Sequence, residues 1–347
     1  MRSNLILPTL KSNNLHREAV RVFEYAFIDV SKKAINKLIE GLKSLSVESN
    51  DTSAASYIEN WYSRLPKEDL IGFPMTDEEY QAMKASKIVT MITHGLPNQE
   101  KKKLQGKALL DIGAGDCAMT HLVSEQLHME SWAIDVQTSI DWGGQNSSDK
   151  LAKNEYMAKI HKHCIYDGHN LLAALGNKKF KVIMLNHSLH HFPSFDAQQN
   201  CFKQIASLLE PNGILFLSEH ANCHNDIVLE LSHLLLNLRY SMDKIKANSN
   251  DSCQSFNMEK FKEEYGIANY LSKNMVDLLA KKFGFQAVIE EIRIEDDIVK
   301  TVYYCLRKEN PKMIYSFFDD STQFTSRLKD NTSKAKNLDL RATLGSY

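Results

Sequence analysis

Leu109-Leu110-Asp111-Ile112-Gly113-Ala114-Gly115-Asp116 decides the fold. It reads as a buried strand, with a carboxylate at its end, running into a tight glycine turn. The turn opens a predicted helix, Cys117 to Leu127, whose first backbone N–H groups are unpaired and partly positive. Glycine lets a backbone approach a ligand closely, so a loop of this shape suits the nucleoside end of a cofactor. Gly-x-Gly also occurs in ordinary turns, and the rest of the chain decides its meaning.

The residues after this stretch repeat a strand–helix pattern. Strands are predicted at Ala108–Ile112, Ser131–Val136, His163–Tyr166, Lys181–Asn186 and Ile214–Ser218, each a short apolar run ending in a polar residue. Helices fit between them, most clearly at Asp196–Leu209. This order predicts a mostly parallel sheet with helices on both faces. A largely helical insertion spans about 221–272, with a polar break at Asn248–Ser252. The helix Lys273–Phe283 follows, then two strands, about Phe285–Ile294 and Lys300–Arg307, joined by the acidic loop Glu295-Asp296-Asp297. Strands so close pair antiparallel, because a parallel return needs a crossover of about a dozen residues. The tail from about 310 to 347 is polar apart from Ile314–Phe318 and is expected to be mostly disordered.

Upstream, residues 1–100 read as a helical module or cap. Ala19, Val22, Phe23, Ala26, Phe27, Val30, Ile35, Leu38, Ile39 and Leu42 recur at helical spacing over 15–46. Glu48–Ser53 reads as a loop, and further helices are expected around Tyr57–Leu65 and 77–94, the latter opened by the cap signal Thr76-Asp77-Glu78-Glu79. The chain has 347 residues, 43% apolar and 24% charged, with a formal net charge of −1, ordinary for a globular protein with no global pull toward nucleic acid or membrane. Six scattered cysteines without Cys-x-x-Cys pairs suggest free thiols in a reducing compartment. No apolar run approaches about 18 residues. The expectation is a cytoplasmic protein.

Carboxylates end three successive strands. Asp135 closes the second, where it reaches the two hydroxyls of a ribose lying over Gly113–Gly115; Asp167 closes the third, placed to accept from an adenine amino group. Asn186 ends the fourth and opens a loop facing the same crevice. Any one of them alone reads as a strand-terminal cap. The ordered set points to a nucleoside site.

At these residues the chain resembles the class I S-adenosylmethionine-dependent methyltransferases. The resemblance rests on Leu109–Asp116, Ala133–Asp135, Tyr166–Gly168, the segment Leu185-Asn186-His187-Ser188-Leu189-His190-His191-Phe192, and the turn Leu209-Glu210-Pro211-Asn212-Gly213, and covers about residues 105–308. It implies an α/β, Rossmann-like, seven-stranded and mostly parallel sheet with a C-terminal antiparallel hairpin. The domain is expected over 101–309, with the N-terminal helical module before it and the 221–272 insertion after strand five. It implies S-adenosyl-L-methionine as cofactor, held by Asp111, Gly113, Ala114, Gly115, Asp135, Val136, Asp167, Gly168, Asn186 and His187. A dinucleotide-dependent oxidoreductase is the rival, since Gly113-x-Gly115-x-x-Ala118 meets the loose fingerprint. Asp111 would repel a pyrophosphate, and the terminal hairpin replaces a second parallel half, so methyl transfer is the expected activity.

Candidate bases for the acceptor are His187, His190 and His191 after strand four and Glu219-His220 after strand five. One of His190 and His191 is expected to pack or cap and the other to face substrate. In the following helix Ile227, Leu231, Leu234, Leu235, Leu238 and Met242 form an apolar stripe, while Asp226, Glu230, His233 and Asn237 share another face. That face either looks into the cleft, with His233 toward Glu219-His220, or is a solvated face carrying a Glu230–His233 pair. Neither His161, His163 and Cys164 nor His187, His190 and His191 have the paired spacing of a structural zinc site, and no metal is expected. Asn186-His187-Ser188-Leu189 is not the Pro-Pro-Tyr/Phe type associated with adenine or glutamine amino methylation, and no Pro-Cys pair supports attack on cytosine. The expected acceptor is a small molecule, with RNA and a non-catalytic binding protein as the alternatives.

Overall fold

In a computed structural model of the chain, the described residues are 4–46, 49–72, 76–136, 155–220, 226–247, 257–259, 269–292 and 301–308. Seven strands form one sheet: β1 Ala108–Ile112, β2 Glu130–Val136, β3 Lys162–Tyr166, β4 Phe180–Asn186, β5 Leu209–His220, β6 Phe285–Ile292 and β7 Thr301–Lys308. Their spatial order is β3-β2-β1-β4-β5-β7-β6. β1 to β5 pair in parallel, and β7 runs antiparallel between β5 and β6. The expected parallel sheet and terminal hairpin are both present. The order reverses between β1 and β4, which opens a crevice at the carboxyl ends of those strands.

Period-two alternation along the strands sends side chains to two apolar layers. Leu110, Ile112, Ile134, Ile183, Leu185, Leu215 and Leu217 pack under helices α8 Leu171–Leu175, α9 Phe195–Leu208 and α11 Lys273–Lys282. On the other face Leu109, Val182, Met184, Ile214 and Phe216 meet α5 Asp77–Gly95 and, beyond the single turn α6 Asn98–Lys101, α7 Ala118–Gln126. Thr76 and Glu79 form the expected capping box at the start of α5.

A third core is purely helical. It joins α1 Ile6–Lys11, α2 His16–Ala26, α3 Lys32–Lys43 and α4 Asp51–Ser63 to α10 Asp226–Ala247, whose stripe Leu231, Leu234, Leu235, Leu238 and Met242 is buried among them. The helices that precede the sheet and the helix inserted after β5 thus share one core, while α5 packs on the sheet. Arg239 of α10 fastens this layer. Its guanidinium donates Nη1 and Nη2 to the Asp29 carboxylate at 2.5 and 2.8 Å and Nε to Asp243 at 2.9 Å, and it lies over the Tyr62 ring.

Two local expectations are corrected. The helix over 15–46 is two helices, because residues 29–31 pair with 69–71: Val30 bridges Leu70, Ser31 N donates to Asp69 O, Ile71 N donates to Asp29 O, and the Ser31 hydroxyl caps α3. The loop at 48–53 gives way to helix at Asp51, with Asn50 as cap. The Asp51 carboxylate accepts from the backbone N–H groups of Leu5 and Ile6, tying α4 to the start of α1. The polar break at 248–252, the acidic loop 295–297 and the tail 310–347 lie outside the described residues. No helix among the described residues is long and apolar enough to cross a membrane. Because Leu234 is fully buried, Leu234→Ala is expected to destabilise the protein by about 2–5 kcal/mol in guanidinium unfolding.

Candidate active site

The glycine turn takes its shape from backbone conformations that side chains resist. Gly113 has φ +73°, and a Cβ there would stand 2.6 Å from Cβ of Ser188. Cys117 caps α7 in the left-handed region at φ 64°, so the helix begins one residue later than expected; its N–H donates to Ala114 O. Asp116 Oδ1 accepts from Ala118 N.

Of the three strand-end carboxylates, Asp111 is buried and Asp135 half-buried around this turn. Asp135 sits opposite the turn and accepts from Gly115 N and Val136 N, both at 2.8 Å. Its carboxyl is pushed up by burial, which those two bonds partly offset. Asp111 accepts from Thr120 Oγ1 at 2.7 Å through Oδ2, while Oδ1 is buried without a hydrogen-bond partner among the described residues. Burial pushes its carboxyl up to about 7, against the Thr120 bond; Asp135 and Asp116 push it further and the Lys84 ammonium opposes them. Asp167 differs. It is exposed, and its Oδ1 accepts from His169 N and Asn170 N of its own turn, which holds its carboxyl below the usual range. Gly168 follows with φ +80°.

The segment after β4 crosses the switch point. Asn186 Oδ1 accepts from Ser218 Oγ at 2.7 Å, His187 N donates to Ser218 O at 2.8 Å with His187 at φ 55°, and Ser188 Oγ donates to Ile112 O at 2.8 Å. The turn therefore spans β5, β4 and β1, and brings the glycine loop beside a chamber of histidines.

Glu219 organises that chamber. Its buried carboxylate accepts from Leu189 N at 2.7 Å and pairs with His190 Nδ1 at 2.6 Å. Burial pushes the Glu219 carboxyl up to about 7 and drives the His190 imidazole well below its ordinary range. Ring centroids lie 4.0 Å apart for His190–His191, 4.8 Å for His187–His220, and 4.9 Å for both His190–His220 and His220–His233. His233 therefore faces Glu219-His220, the cleft-facing arrangement of its helix face. Burial lowers the rings of His187, His191 (to about 2) and His233 as well. One ring nitrogen each of His190, His220 and His233 lie within 4.8 Å of one another. His163 stands apart, half-buried on β3 near Asp135, and His161 packs on Trp132.

Several residues of the site were not singled out from the sequence. Tyr270, in the insertion, stacks on His190 at 5.3 Å. Gln198, fully buried on α9, donates to Leu189 O and Asn269 O, and Asn269 N donates to His190 O. Gln198 carried a signal: it is a polar residue within the apolar stripe of its helix. Lys84 of α5 acts on both Asp111 and His187.

The sequence pattern of a methyltransferase domain family matches residues 19–290. The chain belongs to the methyltransferase domain family. No curated protein matches the sequence. Similar solved structures include a putative sarcosine dimethylglycine methyltransferase from Galdieria sulphuraria, at 10% identity and TM-score 0.42 over 65% of this chain and 86% of that one. The N-methyltransferase NodS from Bradyrhizobium japonicum WM9 is 8% identical, with TM-score 0.41 over 68% of this chain and 100% of that one. Magnesium protoporphyrin IX methyltransferase from Synechocystis PCC 6803, solved with bound SAH, is 13% identical, with TM-score 0.40 over 75% and 100%.

Asp111 gives a pH test of the methyltransferase crevice. Below 3.8, its ordinary value, the carboxyl is protonated folded or unfolded and costs nothing. Between there and about 7 the unfolded chain ionises while the folded one keeps the proton, so stability falls as pH rises, reaching the full penalty above about 7. Asp111→Asn is thus expected to stabilise the ligand-free protein more at pH 8 than at pH 5 in urea unfolding. An equal gain at both would contradict the shift.

Proposed function

We propose that this protein transfers the methyl group of S-adenosyl-L-methionine to an oxygen or nitrogen of a small molecule. The observation that carries the reading is the pair of carboxylates, Asp111 buried and Asp135 half-buried, beside a glycine turn with room above it. Asp111 Oδ1 has no partner among the described residues, and a Cβ at Gly115 would meet nothing within 4 Å among them. A nucleoside cofactor with a cationic amino end fits both features.

In this assignment Asp135 accepts from the ribose hydroxyls and Asp111 from the amino end. Gly113, Ala114 and Gly115 admit the cofactor close to the backbone. Val136, Asp167 and Gly168 bound the adenine side, and Asn186 and His187 bound the side toward the acceptor. The cofactor supplies an electrophilic methyl on a sulfonium; the protein supplies proximity and orientation. The acceptor lies in the chamber of His190, His191, Glu219, His220 and His233, where imidazole lone pairs accept from its O–H or N–H. An amine acceptor needs no early deprotonation, whereas a hydroxyl must lose its proton to a base, for which the Glu219 carboxylate stands in the chamber. The burial of the chamber, with His190 only 2% exposed, favours a small acceptor over a polymer and keeps water from the transfer.

Mass spectrometry of the purified protein for a co-purified S-adenosyl ligand tests the reading, followed by incubation of cell extracts with labelled methyl donor. Asp135→Ala is expected to weaken cofactor binding at least tenfold by calorimetry, since two charge-assisted hydrogen bonds are lost; unchanged affinity would refute the assignment. Glu219→Gln is expected to lower turnover about 100-fold while cofactor affinity stays within twofold. Parallel loss of both would reduce Glu219 to a structural role.

A further inference from the structure

His190, His220 and His233 come from three separate elements: the turn after β4, the last residue of β5, and α10. We propose that they form a three-histidine site for one divalent transition-metal ion, of the zinc type, with a remaining coordination position for water or the acceptor. The metal site stands on these residues alone; its use in activating the acceptor rests on the methyl-transfer reading.

Hydrogen bonds at Nδ1 give two of the rings the tautomer that ligation through Nε2 requires. With Glu219 as acceptor, His190 donates from Nδ1, which places its lone pair on Nε2, and Nε2 is buried without a hydrogen-bond partner among the described residues. A carboxylate behind a ligating imidazole fixes its tautomer and raises its basicity. Glu219 is itself held by Leu189 N. His233 donates from Nδ1 to Leu229 O at 2.9 Å, with the Tyr270 hydroxyl at 2.9 Å from the same nitrogen, so its lone pair also lies on Nε2. His220 completes the trio: one of its ring nitrogens lies within 4.8 Å of a ring nitrogen on each of the other two.

The donor set selects the ion. Three neutral imidazoles suit zinc, iron, cobalt, nickel or copper and suit magnesium or calcium poorly, since those prefer oxygen. Nitrogens bound to one tetrahedral zinc stand about 3.3 Å apart. The 4.8 Å spread therefore closes by rotation of the rings on binding. Three histidines plus one exchangeable position is the arrangement in which zinc activates bound water or substrate oxygen.

The test uses the full chain purified without a histidine tag. Metal content is measured by inductively coupled plasma mass spectrometry, and the chelator-stripped protein is titrated with Zn²⁺ by calorimetry and with Co²⁺ by visible absorption. The expected result is one equivalent per chain and the intense bands of tetrahedral Co²⁺. His233→Ala and His220→Ala are expected to weaken Zn²⁺ binding more than 100-fold, Glu219→Gln 10–100-fold, and His191→Ala less than threefold. Binding of S-adenosylmethionine, followed in the same variants, reports whether each one folds. Failure of the stripped wild-type protein to bind one equivalent, or equal binding by wild type and a folded His233→Ala, overturns the proposal. Metal binding without cofactor binding would leave the site standing and remove the methyl-transfer reading instead.

Discussion

The buried carboxylate of Glu219 is the constraint on which the site depends. A carboxylate taken out of water costs several kcal/mol unless its oxygens are satisfied. Here one oxygen accepts from Leu189 N and the other meets His190. Those partners pin the turn after β4 to the end of β5. Ser188, in the same turn, then reaches Ile112 O on β1, so the glycine loop and the histidine chamber are positioned by one short segment. A shift of that turn would move both halves of the crevice together.

The chamber's far wall is set by a different core. His233 stands on α10, and α10 is held by its apolar stripe and by Arg239 between Asp29 and Asp243. A bidentate guanidinium–carboxylate pair defines an orientation as well as an attraction. The helices of the first sixty-odd residues thus aim a histidine into a site whose other groups lie on the sheet, and tertiary packing couples two segments far apart in sequence.

Much of this was legible in the sequence where local patterns carry it. Alternating strands and helices, the glycine turn and the closing hairpin each follow from periods and turn chemistry, and the structure repeats them within a residue or two, except that β5 begins at Leu209, five residues before the expected Ile214, through the Pro211-Asn212-Gly213 stretch that reads as a turn. The splitting of the helix at residues 29–31 was not legible, because it is caused by pairing with residues 69–71. The helix start at Asp51 was hidden in the same way: its polar residues read as loop, yet Asn50 caps and Asp51 captures the backbone of Leu5 and Ile6. His190, His220 and His233 share no short spacing, so a search for paired ligands passes over them. Gln198 was visible as a misfit in an apolar stripe, and Tyr270 had no signal, since its place depends on how the insertion folds back.

Neutrality links the two halves of the crevice. Charged imidazoles would repel a sulfonium, and burial disfavours the charged form of the rings that the proposed reading places beside the methyl group. The same burial makes them weak bases, His191 most of all, with its ring held to about 2. With the rings so weakly basic, the Glu219 carboxylate is the group left in the proposed reading to take a proton from a hydroxyl acceptor. The divalent ion proposed for His190, His220 and His233 would supply positive charge there to hold an ionised acceptor, and that acceptor would keep a lone pair for in-line attack on the methyl carbon.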